Sequence, residues 1–126
     1  MNIAYPNPSM AVSGEFIRKK PDLIDRFMRA YVRAMQRART DKAGTIKTLA
    51  KYTTVSDPAI LDRAYDFYMS KVLERAPYIN MQGMQNALDD VARTVPAAKT
   101  AKPEQFVDLR FLDRIEKSGL LREIYK

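Results

Sequence analysis

Prolines divide this chain into helical stretches, and one of those stretches, residues 21–39, constrains the fold more than any other feature. Pro21 stands where a helix can start without loss, because a first-turn N–H has no intrahelical partner in any case. Asp22 and Asp25 follow near the positive end of the helix dipole. Leu23, Phe27, Tyr31, Ala34, Met35 and Ala38 recur at spacings of three and four, and Ile24, Met28 and Val32 widen the stripe. That period predicts an amphipathic helix. Its apolar stripe is broad and must be buried against other elements.

The rest of the chain is punctuated in the same way. Residues 1–12 read as an extended arm, since Pro6 and Pro8 remove donors and bias their predecessors away from helix; residues 9–12 have the makings of a short strand. Ser13 is a cap for a short helix over 14–19, with Glu15 in its first turn. Asp41 caps a helix that ends near Tyr52 and turns Ile46, Leu49 and Ala50 inward, and Thr53-Thr54-Val55 breaks it. Ser56-Asp57-Pro58 starts a helix predicted to run to about Arg75, ahead of Pro77, with Leu61, Ala64, Tyr65, Tyr68 and Val72 on one face and Ile60 and Phe67 beside it. A helix over 82–94 follows, with Met84, Leu88, Val91 and Ala92 inward. Residues 96–107 read as loop. Asp108 caps a last helix over 109–118, with Phe111, Leu112 and Ile115 inward. Gly119 suits the position just past its end, and Leu120, Leu121, Ile124 and Tyr125 add a final turn. The expected fold is therefore all-α: one domain over 1–126, a bundle-like layer of four to five helices behind a short extended N-terminal segment.

Composition narrows the function. The 126 residues include no cysteine and no histidine, which excludes disulfides, thiolate nucleophiles and imidazole bases or metal ligands. No apolar run approaches the roughly 20 residues that span a bilayer. The uncharged stretch 1–14 lacks a basic start and is interrupted by two prolines, so it does not read as a signal peptide; expressed as given, the chain is expected in the cytoplasm. None of the four glycines belongs to a phosphate-binding pattern, and no cofactor is expected.

The net charge of +7 invites an anionic partner. Segment 15–39 carries eight basic and three acidic side chains, and so five of the net charges. Arg26, Arg29, Arg33 and Arg37 line one helix face at spacings of three, four and four. They form either a phosphate-tracking stripe or the solvated back of an amphipathic helix. The solvated back is preferred, because no aromatic residues interleave the stripe to stack bases and no helix-turn-helix spacing accompanies it. Asp62 and Asp66 share a face at i and i+4, while Asp89 and Asp90 diverge by about 100° on a helix; both pairs read as surface solvation. Tyr65, Phe67, Tyr68 and Tyr78 concentrate aromatic side chains and read as core.

Two runs carry a resemblance. Residues 13–38, SGEFIRKKPDLIDRFMRAYVRAMQRA, resemble a recurrent segment of nitrate/sulfonate/taurine-type substrate-binding proteins of ABC importers, shared by proteins that bind thiamine pyrimidine precursors. Ser13, Glu15, Phe16, Pro21, Asp22, Ala30 and Ala34 carry the match. Residues 102–120, KPEQFVDLRFLDRIEKSGL, resemble the end of the same proteins through Lys102, Pro103, Asp108, Leu112 and Gly119. The likeness extends over about 9–122. It implies a non-catalytic role in binding small organic or anionic solutes, a periplasmic location, and an ABC permease as partner. It also implies that the chain is the C-terminal segment of a longer, two-lobed α/β protein whose solute lies between the lobes. No solute-binding residue transfers to this sequence. Helices that pack on a sheet in such a protein would expose apolar faces alone, so the expected state is a homo-oligomer, a dimer, with no membrane insertion. The alternative is a stand-alone basic helical module that binds nucleic acid or another anionic partner through the arginine face.

Overall fold

The structure, a computed structural model, describes residues 4–6 and 9–126. Seven α-helices make up the described fold, which contains no strand among those residues: α1 (Gly14–Lys19), α2 (Pro21–Thr40), α3 (Lys42–Tyr52), α4 (Pro58–Phe67), α5 (Met81–Val91), α6 (Arg110–Lys117) and α7 (Leu120–Ile124). A π-helical turn, Tyr68–Val72, continues α4, and two 3₁₀ turns, Pro96–Thr100 and Pro103–Phe106, lead into α6. The all-α class expected from periodicity is the class observed.

The punctuation works as its chemistry dictates. Ser13 Oγ accepts from the Phe16 N–H at 3.1 Å, and Asp41 Oδ1 accepts from the Gly44 N–H at 2.9 Å. Asp57 Oδ1 accepts from Ala59 at 2.8 Å and Ile60 at 3.3 Å. Each satisfies donors that a helix start leaves free. Pro21 and Pro58 occupy first turns. Gly119 has φ 79°, the left-handed conformation that lets the chain reverse between α6 and α7 without a Cβ clash.

Several expectations need correction. Residues 9–12 are irregular, not a strand, because no neighbouring strand offers a ladder for their backbone groups. The 1–3 and 7–8 portions of the expected arm lie outside the described residues. The helix expected over 58–75 leaves α geometry at Phe67 and ends at Val72. The helix expected at 82 begins at Met81, because Asn80 caps it through the Gly83 N–H at 2.9 Å, and it stops at Val91 rather than 94. The loop over 96–107 holds the two 3₁₀ turns, each opened by its proline. Among backbone donors Asp108 reaches the N–H of Arg110 alone, at 3.2 Å, and Leu109 is the residue that heads α6.

Helix α2 is the hub, touching α1, α3, α6 and α7, while α3 pairs with α4 and α5 rests on the 3₁₀ turns. Val32, Ala76, Leu112, Ile115 and Leu120 form the central cluster, with Met28, Leu121 and Ile124 packed on it. Val32 and Ile115 are fully buried. Burial on α2 falls on Ile24, Val32 and Met35, one edge of the expected stripe. Leu23 and Phe27, expected inside, stay 45% and 44% exposed, and Ala34 is also exposed. The reason is geometric: α6 and α7 cover the Val32 side of α2, and no described element covers the Leu23 side. Ile46 and Leu49 are half-buried and Ala50 is exposed, because α3 lies against α4 at the periphery. Val91 is exposed as well.

Candidate docking groove

The uncovered side of α2 forms one wall of an apolar groove of about 740 Å³. Leu23, Phe27 and Tyr31 come from α2, with the Phe27 and Tyr31 rings stacked at 6.0 Å between centroids. Met10 and Val12 approach from the arm, and the connector from Val72 to Ile79 forms the opposite wall. Met84 of α5 and Phe111 and Leu112 of α6 close the floor. The volume is within the roughly 300–1,000 Å³ of small-ligand clefts. The periodicity of α2 placed these side chains on one face of the helix. It could not say that the chain would leave half of that face open.

Polar groups are few in the groove. The Asp108 carboxylate is engaged by the Arg110 guanidinium at 2.9 and 2.6 Å, which holds its pKa below the ordinary carboxylate value. Tyr78 Oη donates to Glu116 Oε2 at 2.7 Å. That bond, with burial and the Glu116 and Asp113 charges, pushes the phenol up to about 12. Neither of these two groups changes charge near neutral pH, and most of the remaining lining is apolar.

The four arginines singled out by spacing lie along α2, but they do not act as one stripe. Arg29 Nε binds Asp25 Oδ2 at 2.8 Å, and its Nη1 reaches Ser118 Oγ at 3.5 Å. Arg37 binds Asp41 at 2.7 Å. Arg26 and Arg33 are exposed and have no carboxylate within ion-pair distance among the described residues. Half of the face is thus neutralised within the chain, and Asp25 also faces Arg114 of α6 at 3.7 Å, which ties α2 to α6.

Asp62 and Asp66 both grip Lys42 Nζ, at 2.8 and 2.7 Å, clamping α4 to α3 and raising the lysine's pKa. Lys42 also sits 5.3 Å from the centre of the Tyr65 ring. Asp89 accepts from Gln85 at 2.8 Å, and Asp90 accepts from Tyr5 Oη at 3.2 Å. Of the aromatic group, only Tyr65 is core: its hydroxyl donates to the Ala38 and Arg39 carbonyls at 2.9 and 3.1 Å. Phe67, Tyr68 and Tyr78 are more than a third exposed.

Two residues that periodicity passed over shape the site. Arg39 donates to the Met69 carbonyl at 3.0 Å and to the Leu73 carbonyl, at the foot of the connector wall. Gly83 is buried against the backbone of Tyr5 and Pro6, where a Cβ would fall 2.6 Å from the Tyr5 carbonyl carbon. No short-range signal marks either role, since both partners are remote in sequence. Among the described residues no helix is long and apolar enough to cross a membrane. No protein-family model, curated protein or solved structure matches the chain.

Proposed function

We propose that this chain is the helical C-terminal segment of an ABC-importer solute-binding protein of the nitrate/sulfonate/taurine and thiamine-precursor type, with a binding rather than a catalytic role. The observation that carries the reading is the open groove. A helix layer leaves a wide apolar stripe uncovered when the layer it packs on is contributed by other residues. The family resemblance supplies such a layer, in the sheets of a two-lobed protein that holds a small organic or anionic solute, works in the periplasm and delivers to an ABC permease. In the chain by itself the same face drives homodimerisation. The test is the coding sequence upstream of Met1: a signal peptide and βα units in the same frame support the proposal, and an in-frame stop codon overturns it. The alternative, a basic module for nucleic acid or another anionic partner, rests on Arg26 and Arg33 alone. Binding to a mixed nucleic-acid pool that falls steeply with salt is the result that would favour it.

A further inference from the structure

The break at Val72 carries an inference of its own. Residues 68–75, YMSKVLER, hold no helix breaker, and the first stop is Pro77. Local propensity therefore favours an α-helix through Arg75. In that helix the Leu73 N–H would bond the Met69 carbonyl, and the Glu74 and Arg75 N–H groups would bond the carbonyls of Ser70 and Lys71. Instead the Leu73 N–H bonds the Tyr68 carbonyl at 2.8 Å, one residue further back. The Met69 carbonyl loses its donor, and the guanidinium of Arg39 takes the vacant position at 3.0 Å while also binding the Leu73 carbonyl. Among the described residues the Glu74 and Arg75 N–H groups meet no acceptor. Arg39 is itself held in place, since its own carbonyl and that of Ala38 accept from the buried Tyr65 hydroxyl.

We propose that Arg39 is a latch that holds residues 68–75 in the π register against a competing α-helical register, and that this choice sets the wall of the groove. The two registers differ by one residue, about 1.5 Å of rise and 100° of rotation. Val72 and Leu73, which line the groove, swing off it in the α form. Ala76 in the core and Tyr78 on Glu116 oppose that movement from the far end, while the two helical hydrogen bonds that Glu74 and Arg75 would gain favour it, so the two registers compete. The latch is independent of what covers the groove.

The test is amide hydrogen exchange in Arg39→Met. Removing a buried hydrogen-bond donor ordinarily speeds exchange around it. The latch requires the opposite at two positions: the Glu74 and Arg75 amides slow by about tenfold as they gain helical acceptors, while far-UV circular dichroism shows the fold retained. Arg39→Lys keeps the charge and one of the two hydrogen bonds, so it gives a smaller slowing at the same amides and serves if the methionine variant does not fold. Exchange at Glu74 and Arg75 that is unchanged or faster in the folded variant overturns the proposal.

Discussion

Substituting Gly83 by alanine sets two effects of similar size against each other. Gly83 lies in the first turn of α5, where alanine improves helix propensity by about 0.8–1.0 kcal/mol at most. The new Cβ would fall 2.6 Å from the Tyr5 carbonyl carbon, 2.8 Å from Pro6 N and 2.9 Å from the Tyr5 oxygen. These are backbone atoms, so no rotamer change relieves the contact; residues 4–6 must move away from α5 by roughly 1 Å. The hydrogen bond most exposed to that movement runs from Asn86 Nδ2 to the Ala4 carbonyl at 2.7 Å, a bond worth about 0.5–1.5 kcal/mol. Gain and loss nearly cancel, so Gly83→Ala is expected to shift Tm by less than about 4 °C while the arm lifts. A double-mutant cycle with Asn86→Ala reads the lifting directly. Alone, Asn86→Ala costs about 1 kcal/mol. In the Gly83→Ala background only its pairing with Gln82, at 3.1 Å, is left to lose, and the cost falls to about 0.3 kcal/mol. Equal costs in the two backgrounds, measured by urea denaturation, would show that the arm tolerates the Cβ and would refute the steric argument.

Three further outcomes follow from the same structure. Ile115→Ala, at a fully buried position in the central cluster, should cost about 2–5 kcal/mol, a large share of a domain's usual stability, and lower the urea midpoint without changing its slope. Phe27→Glu on the open wall should leave Tm within a few degrees yet dissolve the proposed dimer, as light scattering against concentration would report; an unchanged mass removes that face from the interface. The Tyr78 phenol is raised in the folded state, first by its bond to Glu116, so its contribution is complete below about pH 10 and is lost as pH rises through about 12. The stability difference between wild type and Tyr78→Phe should therefore hold steady from neutral pH to about pH 10, shrink as pH rises towards 12 and be largely lost beyond it; a difference that stays undiminished above pH 12 refutes the assignment.

What could be read before folding was whatever depends on neighbours in the chain. Ser13, Asp41 and Asp57 cap because a short polar side chain reaches an N–H two or three residues on, wherever the helix goes next. Pro21 and Gly119 act through their own backbone preferences. Periodicity likewise identified Ile24, Val32, Met35, Phe111, Leu112 and Ile115 as apolar faces. It could not choose between Ile24 and Leu23, because a broad stripe is compatible with several rotations about the helix axis. The choice belongs to α6 and α7, which cover one edge of α2 and leave the other as a groove wall.

The arginine face shows the same division. Spacing put Arg26, Arg29, Arg33 and Arg37 on one side of a helix, and the structure leaves them there. It also pairs two of them with carboxylates one turn away, so the expected field is halved. By itself the sequence determined the helical class, most element starts, and the absence of thiol and imidazole chemistry, since these follow from composition and from contacts within one or two turns. Only tertiary structure decided where α4 ends, which edge of α2 is open, and that Gly83 lies against the backbone of Tyr5 and Pro6. Each of those depends on a donor, a side chain or a backbone segment from 30 or more residues away, and no local rule carries that information.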